Sequence, residues 1–176
     1  YLQSSEVNAL RTPTPILDVP QSLSIVTSEE ILRRGFTSVS DIIEYLPGVS
    51  MSQGEGHRDA VVFRGVRSTA DFFIDGVRDD VQYYRPLYNL EQLEVLRGPN
   101  ALLFGRGGTG GILNRVTKKA NTGENFSQLT GYADSFGAGG LQGDVNIGLN
   151  DTVAFRINAM AEGLDNHRDH YDGEQV

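Results

Sequence analysis

The sequence predicts a mixed α/β (α+β) domain, with a small mixed sheet and short helices, followed by the first antiparallel strands of a larger β structure. Three observations predict it. Glycine supplies 21 of the 176 residues, well above the ~7% of an average chain, which favours turns and close backbone approaches over a helix bundle. Helix caps and short apolar runs alternate between residues 12 and 119, as they do when helices and strands share one domain. From about residue 124 to 164 the pattern changes to apolar residues at every second position.

Composition narrows the functional classes. Cysteine is absent, which excludes disulfides, zinc–thiolate clusters and thiol nucleophiles. No run approaches the ~20 apolar residues of a membrane helix, so a membrane role would have to use strands. The net charge of −8 is uneven: residues 1–120 carry 13 Lys/Arg and 14 Asp/Glu, residues 121–176 carry 2 and 9. No basic stripe interleaved with aromatics occurs, so nucleic acid is not an expected partner. The chain opens at Tyr1 with no methionine or basic region before it, and its N-terminus reads as processed or cut.

Residues 1–11 show no periodicity and read as a flexible lead-in. Pro13, Pro15 and Pro20 keep the following segment extended, and residues 22–26 alternate as a strand does. Thr27 with Glu30 forms a capping box, and its short helix should stop at Gly35, a natural left-handed cap. Ser38 with Asp41 repeats the signal for a helix that presents Val39, Ile42, Ile43 and Leu46 on one face and breaks at Pro47-Gly48. Residues 51–59 read as an exposed polar loop. Residues 61–63 and 72–74 are short buried strands, running into Gly65 and Gly76. Residues 78–87 form a second polar, aromatic-rich loop. Asn89 with Gln92 offers a third cap, then come a strand at 93–96, a turn at Gly98-Pro99, a glycine run at 105–111 and a strand at 112–117.

After Asn121, Leu141, Val145, Ile147 and Leu149 fall on one face of a run, with Gln142, Asp144 and Asn146 on the other. A tight turn at Asn150-Asp151 follows, then Val153, Phe155, Ile157 and Ala159 alternate with Ala154, Arg156, Asn158 and Met160. A transmembrane hairpin requires this pattern, and an amphipathic soluble sheet produces it equally well. Residues 165–174 read as a long polar loop. Two or three strands cannot close a barrel, which needs about eight at least. The expectation is that the protein continues past Val176, or that this piece is not membrane-embedded as it stands.

Five ordered strings carry a resemblance. They are Thr14-Pro-Ile-Leu-Asp-Val-Pro-Gln-Ser-Leu-Ser-Ile-Val-Thr27, Asp41-Ile-Ile-Glu-Tyr-Leu-Pro-Gly-Val49, Phe63-Arg-Gly-Val66, Phe73-Ile-Asp-Gly-Val77 and the segment 93–118 with its Leu96-Arg-Gly-Pro99 core. Together they resemble the plug domain of TonB-dependent siderophore receptors over residues 14–118. Asp75-Gly-Val-Arg-Asp-Asp80 and Tyr83-Tyr-Arg85 look most like the ferric-catecholate branch. The resemblance implies a lead-in at 1–11, a plug at 12–119 and the start of an outer-membrane barrel of about 22 strands at 120–176. It implies a transporter and not an enzyme, in the outer membrane of a Gram-negative bacterium, with the plug inside the barrel and facing the periplasm. The implied partners are a ferric siderophore, TonB with ExbB–ExbD, and outer-membrane lipid. No cofactor is implied, because the iron arrives already chelated. Alternatives are another cargo (vitamin, saccharide or metal chelate) on the same fold, or a stand-alone soluble binding or signalling module.

Candidate ligand residues are Gln53, His57, Arg58, Tyr83, Tyr84 and Arg85, placed in two loops at the outward apex. Bulky, often anionic, ring-rich complexes suit Tyr and Arg through stacking, cation–π contact and charge-assisted hydrogen bonds. Arg64 and Arg97 each follow an apolar strand and precede a glycine. They read either as strand-end surface arginines or, by the resemblance, as the plug arginines that pair with barrel glutamates. The glycine run fails as a phosphate loop because Ile112-Leu113, not Lys-Ser/Thr, follows Gly111. His167, Asp169, His170 and Asp172 read as a solvated loop, not a metal site. No Ser–His–Asp arrangement is apparent. The TonB box, the short segment through which such receptors engage TonB, is not evident, and Ser5-Glu6-Val7 is too slight to assign.

Overall fold

The structure is a computed structural model that describes residues 6–7, 14–52, 59–68, 71–79, 81–98, 110–165 and 173–176. The chain divides into two compact units, Tyr1–Thr117 and Lys118–Val176.

The first unit is organised by a five-stranded sheet. Its strands are β3 (Ser22–Thr27), β7 (Phe72–Ile74), β8 (Val77–Arg78), β9 (Leu90–Arg97) and β10 (Gly111–Thr117); β1 (Glu6–Val7) and β2 (Thr14–Pro15) precede β3, and β4 (Val49–Met51), β5 (Val61–Phe63) and β6 (Val66–Ser68) fall between β3 and β7. The order across the sheet is β3-β9-β10-β7-β8, with β10 parallel to β7 and the other pairs antiparallel. The segments β4, β5 and β6 form a separate antiparallel sheet, and β1 pairs with β2.

Local chemistry explains the short elements. Helix α1 (Ser28–Arg34) starts where the Thr27 side chain accepts the Glu30 amide and ends at Gly35 in the left-handed region, φ 67°. The reciprocal half of the expected box is replaced: the Glu30 carboxylate pairs along the helix with Arg34 at 2.9 Å, while Thr27 lies in the ladder opposite Gln92. Helix α2 (Val39–Glu44) carries the complete box between Ser38 and Asp41. Two-residue turns at Arg64-Gly65 and Asp75-Gly76 join β5 to β6 and β7 to β8, with φ positive at both central residues of each. That is the backbone a type I′ hairpin needs, and it shows why each short strand runs into a glycine.

The sheet is buried on both faces. On one side Val26, Leu93, Val95, Phe72 and Leu113 pack with Ile31, Val39, Ile42 and Ile43 of the helices and with Val61 and Phe63 of β5. On the other, Ile25, Phe73, Leu96 and Ile112 pack with Val7. Alternate residues of each strand serve opposite faces, the period of two expected of a strand. A fully buried Leu, Ile or Phe contributes roughly 1.5–3 kcal/mol, so these two layers hold the unit together.

Three expectations are corrected. Residues 6–7 are not a flexible lead-in: Val7 is fully buried and pairs with Thr14, because an apolar face of the sheet needs cover. No helix starts at Asn89; β9 begins at Leu90 and is buried along nearly its whole length, so sheet pairing overrides a local cap. A short strand, β14 (Gly173–Gln175), overlaps the end of the stretch read as a polar loop and pairs with β13.

The second unit is an antiparallel meander of β11 (Phe126–Ala133), β12 (Gly139–Asn150), β13 (Val153–Leu164) and β14. At the β12–β13 turn the Asn150 side chain accepts the Thr152 and Val153 amides, both at 2.9 Å, an Asx arrangement that closes the hairpin locally.

Candidate functional site

The loop between β8 and β9 is wound about a guanidinium. Arg85 is only 1% exposed. Its Nε donates to Asp79 Oδ2 at 3.2 Å and its Nη1 to the Tyr83 carbonyl at 3.2 Å. Its Nη2 donates to the carbonyls of Asp79 at 3.1 Å and Val81 at 2.7 Å. The guanidinium lies 3.8 Å from the Phe72 ring centroid and 4.6 Å from that of Tyr83. Within the loop Leu87 joins the hydrophobic core, and the planar fork of Arg85 gathers the polar backbone around it.

Three further groups complete the cluster. Asp79 Oδ2 also accepts from Arg115 Nη2 at 2.5 Å and from the Tyr83 hydroxyl at 2.8 Å. Asp59 Oδ2 accepts the Arg85 amide at 3.0 Å, and the Asp59 amide donates to the Tyr83 carbonyl at 3.4 Å. Two carboxylates thus face two guanidiniums, as buried charges require. Asp59 stands directly after residues 53–58, so the end of the first candidate loop is bonded to the second. Sequence reading missed Asp59, Asp79 and Arg115. Arg115 carried a usable signal, since a charged residue inside the apolar strand 112–117 needs a buried partner.

Burial pushes the Asp59 carboxyl above its ordinary value of 3.8, against the lowering effect of the Arg85 amide and of the Arg85 and Arg115 charges. Burial likewise pulls the Arg85 guanidinium below its usual range, with Asp79 opposing. With its folded value raised, Asp59 adds stability below its unfolded pKa, and that contribution is lost as pH rises through the folded value. Asp59→Asn is therefore expected to flatten the stability–pH curve above pH 3.8 and to leave the unit no less stable at neutral pH. Denaturation midpoints measured across pH check this; a variant that tracks the wild-type curve contradicts it.

The second unit has two unlike faces. Leu129, Leu141, Ile147, Leu149, Phe155 and Ile157 share one face and are exposed, Phe155 by 59% and Ile157 by 68%. The opposite face is polar and linked: Arg156 grips both oxygens of Asp144 at 2.9 and 2.8 Å, Lys118 adds a 2.9 Å contact, and the Tyr132 hydroxyl bonds Glu162. The strands β12 and β13 each have 12 residues, roughly 40 Å of extended chain, which at a tilt near 45° crosses a ~30 Å hydrocarbon layer. Among the described residues no helix is long and apolar enough to cross a membrane.

The family model for the TonB-dependent receptor plug domain matches residues 15–112. The chain belongs to that family. A probable TonB-dependent receptor, BfrD of Bordetella pertussis, is 31% identical over 164 residues, 90% of this chain and 22% of that protein. The crystal structure of the ferric-catecholate import receptor Fiu from Escherichia coli K12, open form, superposes with a TM-score of 0.78 at 29% identity, over 91% of this chain and 24% of that one. The siderophore receptor PiuA from Acinetobacter baumannii gives 0.83 at 25% identity, over 96% and 24%. The chain thus spans between a fifth and a quarter of the length of these relatives, and it comprises the plug and the first barrel strands. The relatives named here are receptors, not enzymes.

The predicted residues fall into three groups. Gln53, His57 and Arg58 lie outside the described residues, as do His167, Asp169, His170 and Asp172. Tyr83, Tyr84 and Arg85 share the β8–β9 loop, yet they differ: Arg85 is buried, whereas Tyr83 and Tyr84 are half-buried. Arg85, one of the candidate ligand residues, turns inward because its fork finds all its acceptors inside its own loop. Arg64 is exposed, at φ 48°, while Arg97 is largely buried and donates to Ser24 Oγ at 2.9 Å. Arg97 Nε is buried without an acceptor, and burial together with the neighbouring Arg64 charge lowers the Arg97 pKa. Among the described residues neither arginine forms an ion pair.

Proposed function

We propose that this chain is the plug and opening barrel wall of an outer-membrane receptor that takes up ferric siderophores, catecholates first, with TonB as its energy-transducing partner. The observation that carries the membrane reading is the bare apolar face of β11–β13, which suits lipid, backed by a polar face that suits a lumen. The names of the relatives support the cargo class. The plug gates the barrel, and Arg64 and Arg97 supply two adjacent cations, one with a buried unpaired Nε, for carboxylates of the barrel wall.

Ligand contact in this reading falls to Tyr84 on the β8–β9 loop and to Gln53, His57 and Arg58 on the first loop. In the full-length receptor Tyr84→Ala is expected to weaken binding of a ferric catecholate by about 1–3 kcal/mol, roughly 5- to 150-fold in Kd. Unchanged affinity removes Tyr84 from the site. A deletion strain is expected to lose growth on ferric catecholates as sole iron source. Normal growth on them, with a defect on another chelate, would redirect the cargo assignment.

A further inference from the structure

We infer that Arg85 is a positioning residue and not a ligand contact: its buried guanidinium holds the segment that carries Tyr84, with Asp79, Asp59 and Arg115 as its anchors. The inference rests on the proposed ligand role of Tyr84. Arg85 is buried and Tyr84 only half-buried, so the two side chains are not presented to one surface together. Arg85 has already spent its fork on Asp79 Oδ2 and on the carbonyls of Asp79, Val81 and Tyr83, at 2.7 to 3.2 Å. With the guanidinium stacked 3.8 Å from the Phe72 centroid and 1% exposed, none of its donors is aimed at solvent. A ligand could reach it only after the loop had been dismantled.

The anchors fasten the segment to rigid elements. Arg115 belongs to β10, which is hydrogen-bonded on both sides, to β9 and β7. Arg115 Nη2 meets both Asp79 Oδ2 and the Tyr83 hydroxyl at 2.5 Å. Asp59 adds bonds to the backbone at 83 and 85. The backbone on either side of Tyr84 is therefore tied to Asp59 and the Tyr83 hydroxyl to β10, while the Tyr84 side chain is half-buried. What this loop offers a ligand is a placed neutral ring, not a positive charge, which favours recognition of an aromatic group over recognition of net charge.

The test uses the full-length receptor, with the iron(III) tris-complex of 2,3-dihydroxybenzoate as probe. Lysine keeps the charge but not the fork, so Arg85→Lys and Tyr84→Ala are each expected to weaken binding about ten-fold. The double variant should bind no worse than Tyr84→Ala alone, because a misplaced ring and a missing ring cost the same contact. A merely structural defect, or a direct contact from Arg85, would make the losses add; additive losses or full affinity in Arg85→Lys overturn the inference. Amide hydrogen exchange supplies a reading independent of ligand. Residues 79–87 should exchange faster in Arg85→Lys while the β12 and β13 amides stay as in wild type, and no acceleration overturns the inference. If the wild type itself fails to bind the probe, the cargo reading falls and exchange still decides the positioning role.

Discussion

Arg85→Met is expected to destabilise the plug by about 3–5 kcal/mol, the scale for stripping one partner from a buried charge cluster. The variant fills much of the same volume, so packing is not the main loss. What is lost is the donor set. The carbonyls of Asp79, Val81 and Tyr83 and one oxygen of Asp79 would each forfeit a bond. Asp59, buried, and Asp79, 12% exposed, would then share the single charge of Arg115. A buried carboxylate in that position must either stay ionised at high cost or take up a proton. The measurement is hydrogen exchange of the β9 and β10 amides in the full-length receptor, where the change should appear as exchange faster by about a hundred-fold or more. Wild-type rates would mean that water enters the cluster and takes over the bonds. Asp59→Asn is the contrasting case, since it removes a charge while keeping an oxygen for the Arg85 amide.

Gly111→Ala should cost about 1–3 kcal/mol, the range for overpacking a filled core. A Cβ at Gly111 would lie 2.6 Å from the Leu96 carbonyl oxygen and 2.7 Å from Cδ1 of Phe63. The first of these is backbone in the paired strand β9 and cannot turn aside as a side chain would. The ladder between β10 and β9 would have to open at Gly111 opposite Arg97, which is also where the buried arginine sits. Gly143→Ala is the control, because an added Cβ there meets nothing within 4 Å. Equal thermal midpoints for the two variants would contradict the prediction. Gly110 and Gly111 thus serve close packing against Phe63.

The features legible in the sequence share a short range. The Ser38–Asp41 box, the Gly35 cap and the turns at Gly65 and Gly76 depend on bonds and dihedrals within about four residues, so local chemistry specifies them. The two-residue period of β12 and β13 was legible for the same reason. Local signals failed where a long-range ladder competed with them. At Asn89–Gln92 the cap lost to pairing of β9 with β3 and β10, and at Glu6-Val7 an apolar sheet face drew in a segment without periodicity.

Residue types and their order in the chain therefore determined the mixed plug, its short helices and hairpins, the change to barrel strands, and the family to which the chain belongs. Only the tertiary structure decided which side of the hairpin stays bare, that Arg97 is buried beside an exposed Arg64, and that Arg85 turns inward while Tyr84 remains at the surface. The physical reason is range. The acceptors of the Arg85 fork lie within six positions of it, but the loop that gathers them is held by groups 26 and 36 positions distant, as in the bond from the Arg85 amide to Asp59 and that from Arg115 to Asp79.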